Sequence, residues 1–263
     1  MFGVQKATQL TSGDDEAATL RRLAGLYAYP DRPASPPCLP RPFLRANMVS
    51  SIDGAVTHNG KSGDLGGPGD RTIFRVLRGL ADLVLVGANT AATEGYRQPA
   101  PDDMFAADRA AREQHPAPAL ALVSRSLSIP GDYTPLTHPD TVVVTCRAAP
   151  PERRAALTAI GATLIDCGDD TVDIDQLLDV CAERGWVRML SEGGPSLLGA
   201  LIDADVVDEL CVTTSPTLVA GDSGRIARAP GKAALHAMRP ATIITDDDGF
   251  VFTRWTRATG EGA

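Results

Sequence analysis

A carboxylate and a glycine turn stand side by side in LSEGGPSLLGALI, residues 190–202. Gly193 and Gly194 follow an apolar, strand-like run, and Pro195 suits the first position of a helix. Free backbone N–H groups at such a helix start attract phosphate, although an ordinary tight turn would use the same glycines. Because side chains alternate along a strand, we expect Glu192 to point into an adjoining pocket while the backbone holds the phosphate.

Two further turns follow strand-like runs. In VGANT, Gly87 ends one run, and Asn89 and Thr90 stand where they would either cap a helix or contact a cofactor. In LVSRS, Ser124 and Arg125 follow another run, and a hydroxyl beside a guanidinium suits the 2′-phosphate that distinguishes NADP from NAD. A solvated loop arginine is the alternative. Open α/β sheets bind ligands at the carboxyl ends of their strands, so the three turns together indicate a nucleotide site.

A second carboxylate, Asp70, falls in the first turn of a predicted helix. An acid there commonly stabilises the helix dipole, and the alternative is that it faces a pocket and hydrogen-bonds a nitrogen heterocycle. Arg71, Arg75 and Arg78 follow at helical spacing as a solvated face, of which Arg78 is a candidate phosphate partner. No GxGxxG motif follows a strand, which disfavours a standard Rossmann domain.

The elements that must position these residues alternate along the chain. Apolar runs predict strands at 43–51, 83–88, 119–124, 141–146, 163–167, 187–191 and 209–215. Helices are predicted at 16–28, 69–80, 151–160, 173–184 and 194–204, with a further short one inside the polar insertion 95–118. ATIITDD and VFTRWT flank Asp248 and Gly249 as a hairpin. The fold class is therefore α/β, a three-layer α/β/α arrangement whose mixed, mostly parallel central sheet ends in a C-terminal antiparallel hairpin.

The same pattern predicts how the chain is divided. Residues 1–42 form an N-terminal helix and a connector with six prolines between positions 30 and 42. A single α/β domain then covers 43–258, and 259–263 is a short tail.

Composition limits the classes of partner. Acidic residues outnumber basic ones 33 to 25, for a formal net charge of -8, which argues against nucleic acid or an anionic membrane as a partner. Neither a secretory h-region nor a membrane-length apolar run occurs in the sequence, so we expect a cytoplasmic protein. The five cysteines lack CxxC spacing and the four histidines are scattered, which predicts reduced thiols and no metal site.

Three segments carry a family resemblance. SSIDG, GPGDRTIFRVLRGLADLVLVGANT and SEGGPSLLGALIDADVVDELCVTTSP occur in this order and resemble the reductase domain of riboflavin biosynthesis. These pyrimidine reductases share the dihydrofolate reductase fold, and the likeness covers about residues 43 to 256. It implies NADPH-dependent reduction of the ribose of 5-amino-6-(5-phosphoribosylamino)uracil to its ribityl form, by a protein that commonly forms homodimers.

The resemblance also implies site residues. Those matching cofactor-binding positions are Val49, Asp53, Gly87, Thr90, Glu94, Gly193, Gly194, Pro195, Ser196, Leu197 and Leu198. Those matching substrate positions are Ser62, Arg78 and Glu192, with Asp64 and Asp70 beside them. The chain departs from the family at residues 94–99, where EGYRQP stands in place of an acidic-Pro-x-Leu-x-Arg stretch.

Glu192 and Asp70 are the candidate catalytic residues, with Asp53 a more distant one. A carboxylate near the ribose C1′ would stabilise a cationic open-chain imine during hydride transfer. Two alternatives remain open at this point. The same fold and cofactor would suit reduction of a pteridine, with Asp70 on the ring, and a non-catalytic sensor of NADPH would need neither acid.

Overall fold

The computed structural model describes residues 8–10, 13, 15–30, 41–230 and 235–258. Most of the proline-rich connector, residues 31–40, and the predicted tail, 259–263, lie outside the described residues.

Ten strands form one sheet in the described part of the chain. They are β1 (Thr8–Leu10), β2 (Phe43–Ser51), β3 (Leu83–Gly87), β4 (Ala119–Val123), β5 (Thr141–Thr145), β6 (Thr163–Asp166), β7 (Arg188–Ser191), β8 (Glu209–Ser215), β9 (Met238–Asp246) and β10 (Val251–Arg257). The order across the sheet is β1-β9-β10-β8-β2-β7-β3-β4-β5-β6. β10 is antiparallel to both β8 and β9, while every other pairing is parallel.

Seven α-helices pack against this sheet in the described ranges. They are α1 (Glu16–Leu26), α2 (Pro68–Leu80), α3 (Ala88–Glu94), α4 (Asp103–Ala111), α5 (Pro151–Ala159), α6 (Ile174–Glu183) and α7 (Pro195–Asp203). Short 3₁₀ turns occur at Gly63–Leu65 and Thr134–Thr137.

Alternating strand residues supply the two sides of the core. Val84 and Val86 of β3 join the apolar cluster formed with residues of α1 to α5, whereas Leu83 and Leu85 join the cluster formed with α6 and α7. All four side chains are buried, as expected for a parallel strand covered on both faces. The predicted three-layer arrangement, mixed sheet and C-terminal hairpin are thereby confirmed.

The boundaries of the predicted elements agree with the structure to within three residues, the largest difference being at the start of β9, and α3 needs one correction. Gly87 occupies the N-cap position without a side-chain cap, and the helix starts at Ala88. Asn89 and Thr90 therefore lie inside the first turn and cap nothing, because the helix begins directly where the strand ends. This brings Thr90 beside the carboxyl edge of the sheet.

The N-terminal segment is built into this fold. β1 pairs with β9, and Leu20 and Leu23 of α1 are buried against α2. Glu16 Oε1 also lies 2.6 Å from Nη1 of Arg75 on α2. A domain boundary at residue 43 stays a prediction.

The described residues show neither a membrane span nor a cluster of metal ligands. Among them, no helix is both long and apolar enough to cross a membrane. In these ranges, no three or more histidine, cysteine, aspartate or glutamate side chains lie close enough together to bind a metal ion. Four cysteines are described, and all are buried thiols outside disulfides: Cys146, Cys167, Cys181 and Cys211.

Candidate functional site

A cavity of about 420 Å³ opens at the carboxyl ends of β2, β3 and β7. Its walls come from β2, the segment 56–66, the first two turns of α2, residues 89–96, Glu192 and the start of α7. Eight residues predicted from the sequence line it: Val49, Ser62, Asp70, Thr90, Glu94, Glu192, Gly194 and Pro195. The edge of the sheet is where a largely parallel α/β fold places its ligands.

The glycine turn before α7 presses against the start of α3. The Gly87 N–H donates to the Gly193 carbonyl oxygen at 2.8 Å, which ties the two strand ends together. A Cβ on Gly194 would stand 2.2 Å from Oγ1 of Thr90, so a larger residue would displace one of the two segments. Gly194 is the N-cap of α7 and no side chain caps that helix. The turn therefore forms a cradle of backbone that a side chain would fill.

Glu192 forms a two-point ion pair with Arg78 of α2. Arg78 Nε donates to Oε1 at 2.8 Å, and Nη2 donates to Oε2 at 2.7 Å. The Glu192 side chain is 2% exposed and that of Arg78 is 24% exposed. Glu192 lines the cavity and Arg78 lies behind it, so the arginine fixes the carboxylate in the wall.

Two aromatic rings lie close to the Arg78 guanidinium. Its carbon lies 4.1 Å from the Phe74 ring centroid and 5.2 Å from that of Tyr96. Both rings also line the cavity. Burial lowers the pKa of Arg78. The charge and hydrogen bonds of Glu192 outweigh this effect, so the pKa of Arg78 is raised. The pair is thus held in a partly desolvated, aromatic surrounding.

Asp70 also lines the cavity and lies in the first turn of α2. Burial raises the pKa of its carboxyl, against the opposing effects of a hydrogen bond with Thr213 and the charge of Arg71. The rim beside it is tight, because a Cβ on Gly66 would stand 2.8 Å from Asp70 Oδ2. Asp70 is therefore a carboxyl that keeps its proton more readily than an exposed aspartate does.

Ser62 and Glu94 connect two walls of the cavity. The Ser62 N–H and hydroxyl donate to Oε1 of Glu94 at 2.8 Å and 3.0 Å. The resemblance assigns these residues to substrate and cofactor respectively, and the structure joins them directly.

Two predicted acids lie outside the cavity lining. Asp53 accepts hydrogen bonds from the backbone N–H groups of Val219 and Ala220 at 3.2 Å and 2.7 Å. With the hydrogen bond from the Ser51 hydroxyl as the largest cause, these bonds lower its pKa to about 2. Asp64 is exposed and pairs with Nδ1 of His58 at 3.0 Å.

The other predicted cofactor residues considered next do not line the cavity. Arg125 is exposed and its Nε donates to the Asp170 carbonyl at 3.0 Å, with Ser124 beside it at the end of β4. Leu197 and Leu198 are buried in the core, so only their backbone would face a ligand, and the Leu198 N–H already donates to the Gly194 carbonyl. Ser196 is exposed at the start of α7.

Several lining residues were missed from the sequence. Asn47 shares the alternation of Val49 along β2 and was detectable from that spacing. Phe74 lies one turn after Asp70 on α2, so helical spacing also pointed to it. Tyr96 had no such periodic signal, because it follows the end of α3.

These features define a class: α/β proteins with a ligand cavity at the carboxyl edge of the sheet, a glycine-led helix start and two acids on the wall. The chain belongs to the RibD C-terminal domain family, whose profile matches residues 42–252.

Curated relatives and a solved structure agree with this assignment. The 2,5-diamino-6-ribosylamino-4(3H)-pyrimidinone 5′-phosphate reductase of Aquifex aeolicus is 26% identical over 70% of this chain and 80% of its own. The Archaeoglobus fulgidus protein of the same name is 25% identical over 81% and 97%. A pyrimidine reductase-like protein from Corynebacterium diphtheriae superposes with a TM-score of 0.76 at 25% identity, covering 83% and 93% of the two chains. The predicted family and oxidoreductase class are confirmed.

Proposed function

We propose that the protein is an NADPH-dependent reductase that converts the ribosylamino group of a phosphorylated aminopyrimidine into its ribitylamino form. The observation that carries the proposal is that Asp70 and Glu192 line the same cavity, beside the glycine turn that begins α7. The relatives named above act, by their names, on 2,5-diamino-6-ribosylamino-4(3H)-pyrimidinone 5′-phosphate. The family resemblance points to the corresponding uracil, which carries an oxo group at ring position 2.

The residues around the glycine turn fit a dinucleotide. Unbonded N–H groups in the first turn of α7 suit a pyrophosphate, and the close approach of Gly194 to Thr90 leaves no side chain in the way. Val49, Thr90 and Glu94 would hold the adjoining part of the cofactor along the cavity wall. When bound, NADPH supplies the hydride.

The two acids have different tasks in this proposal. Opening the ribosylamine ring needs a proton at the ring oxygen O4′, and Asp70, whose pKa is raised by burial, is the residue suited to deliver it. Ring opening leaves a cationic C1′=N group. Glu192, held by Arg78, presents a fixed negative charge that stabilises this cation until hydride addition at C1′ gives the neutral amine.

A second candidate rests on the same Asp70. A buried carboxyl in a small rim beside Gly66 would also hydrogen-bond the ring of a pteridine and protonate its nitrogen. That reaction needs no site for a phosphate group on the substrate.

The test is NADPH oxidation, followed by its absorbance, with the diaminopyrimidinone phosphate, the uracil phosphate and a dihydropteridine in parallel. We expect turnover with at least one of the two ribosylated pyrimidines. Turnover with the pteridine alone would replace the proposal by the second candidate. Tight NADPH binding without oxidation by any of the three would identify a sensor.

We further propose that the protein acts as a homodimer in the cytoplasm, as the resemblance and the composition imply. Light scattering on the purified protein tests the first point, and a monomer would contradict it.

A further inference from the structure

Three arginines of α2 have different surroundings. Arg75 pairs with Asp102 at 2.6 Å, outside the cavity lining. Arg78 donates from Nε and Nη2 to Glu192 and does not line the cavity either. Within the described ranges, the guanidinium of Arg71 makes no hydrogen bond or salt bridge. Of the three, Arg71 is therefore the one whose donors are left for a ligand.

Arg71 also lines the cavity. Among the described residues of the lining, the charged side chains are three acids, Asp70, Glu94 and Glu192, and one cation, Arg71. The Arg71 side chain is exposed, so it lies where the cavity meets solvent. An anion that enters a cavity with three carboxyls needs a positive charge beside it, because like charges repel strongly in a partly desolvated site. The start of α7 offers backbone N–H groups to the cofactor, and Arg71 offers a charge to a second anion.

The chemistry of the proposed substrate connects its phosphate with Asp70. The ring oxygen O4′ is joined to the 5′-phosphate through C4′, C5′ and O5′, so the two groups are only a few bonds apart. Asp70 and Arg71 are consecutive residues at the start of α2, and both line the cavity. A substrate whose O4′ lies at Asp70 therefore has its phosphate within reach of the long Arg71 side chain.

We propose that Arg71 binds the 5′-phosphate of the substrate and thereby selects phosphorylated over unphosphorylated ribosylaminopyrimidines. This inference rests on the proposed function and adds a specificity-determining residue to it. A planar guanidinium can donate two parallel hydrogen bonds to phosphate oxygens, which makes arginine well suited to this task.

Arg71→Gln removes the charge from an exposed, unpaired position, so the fold should stay intact. We expect KM for the phosphorylated pyrimidine to rise about tenfold, as for the loss of a hydrogen bond to a charged group, with kcat within about twofold. Arg71→Lys should recover part of the loss, since an ammonium keeps the charge but lacks the planar pair of donors. Arg75→Gln is the matched control, because it removes the same charge one turn along the helix, outside the lining. That control should leave KM unchanged.

Binding of the product isolates the phosphate group. Isothermal titration calorimetry gives the Kd of the ribitylaminopyrimidine with and without its 5′-phosphate, for wild type and for Arg71→Gln. We expect the substitution to weaken binding of the phosphorylated form about tenfold and to change binding of the unphosphorylated form by less than about twofold. This cycle assigns the difference to the contact between Arg71 and the phosphate. An equal loss for both forms would overturn the inference.

The kinetics of the same variant separate this inference from the proposed function. A weaker Kd for NADPH in Arg71→Gln, with an unchanged KM for the pyrimidine, would place Arg71 on the cofactor and overturn the inference. Turnover by the wild type with the same KM in Arg71→Gln would overturn it as well, while the proposed function stands. If the wild-type protein turns over neither ribosylated pyrimidine, the proposed function fails and this inference fails with it.

Discussion

Asp70 and Glu192 are two carboxyls on the wall of one cavity, yet their surroundings differ. Glu192 is bound at both oxygens by Arg78 and carries a fixed charge. Burial dominates at Asp70, where a hydrogen bond with Thr213 and the charge of Arg71 oppose it only in part, so its pKa is raised. Two carboxyls in unlike environments can divide a reaction between a charge that stabilises a cation and an acid that holds a proton.

The difference follows from where each residue lies in its element. Glu192 comes directly after β7 and faces the last turns of α2, where Arg78 is the nearest cation. Asp70 lies in the first turn of the same helix, two turns away from that arginine. One helix therefore provides the acid at one end and the partner of the other acid near its other end.

The largest expected effect comes from removing the charge of Glu192. Glu192→Gln should lower kcat/KM by about a hundredfold or more, as for other losses of electrostatic stabilisation in an active site. It also leaves the partly buried Arg78 guanidinium unpaired, which should cost about 2 kcal/mol of unfolding free energy, less than a fully buried pair would. Steady-state kinetics and urea unfolding measure the two effects.

Arg75→Gln is the matched control on the same helix. Arg75 pairs with Asp102 at 2.6 Å, and its side chain is 40% exposed, so the loss in stability should stay below about 1 kcal/mol. Activity should be unchanged. A comparable loss of activity in both variants would mean that α2 is merely destabilised and that Glu192 has no special role.

Asp70→Asn should have the next largest effect and should change the pH dependence. If Asp70 donates a proton, wild-type kcat falls as the pH rises through the raised pKa of Asp70. The asparagine variant should have a kcat about tenfold to a hundredfold lower, and this kcat should not fall over the same pH range. A pH profile that keeps the same descending limb in the variant would exclude Asp70 as its source.

The sign of the stability effect is also fixed. A carboxyl whose pKa is raised in the folded protein stabilises it below the unfolded-state pKa, and this contribution is lost as the pH rises through the folded-state pKa. The difference in unfolding free energy between wild type and Asp70→Asn should therefore favour the variant more at neutral pH than at acid pH. Denaturant titrations at both pH values test this.

A smaller effect is expected outside the cavity, at Arg125. If this exposed guanidinium contacts a 2′-phosphate, Arg125→Ala should raise KM for NADPH about tenfold and leave KM for NADH unchanged. The pH profile assigned to Asp70 should not move, because the change lies outside the cavity lining. Equal effects on both cofactors would show that Arg125 does not select NADP.

The fold was predictable because its strong signals are local. Apolar runs such as LVLVG, each bounded by a turn, gave strands that the structure places within one or two residues. The three-residue β1 was not detectable, since Thr8–Leu10 is too short for periodicity and pairs with a strand more than 200 positions away. Long-range pairing of so short a segment has no sequence pattern of its own.

The candidate site was only partly predictable. Glu192 and Asp70 could be singled out because turns and helix starts have local sequence patterns, and both acids lie at such positions. The pairing of Glu192 with Arg78, 114 positions apart, depends on tertiary packing, as does the place of Tyr96 beside them. Asp53 is the opposite case. The sequence motif around it is easy to recognise, but its carboxylate binds the backbone N–H groups of Val219 and Ala220 and does not line the cavity.

The smallest expected change sharpens the comparison from the side of Asp70. The hydrogen bond with Thr213 lowers the pKa of Asp70 against the effect of burial, so Thr213→Val should raise that pKa further. A hydrogen bond of about 1 kcal/mol corresponds to a shift of roughly 0.7 pH units in the midpoint of the kcat profile, toward higher pH. Thr214→Val is the control, because its neighbouring side chain on β8 points to the other face of the sheet. A midpoint that stays in place in the Thr213 variant, or moves equally in both, would mean that the descending limb of the profile belongs to another group.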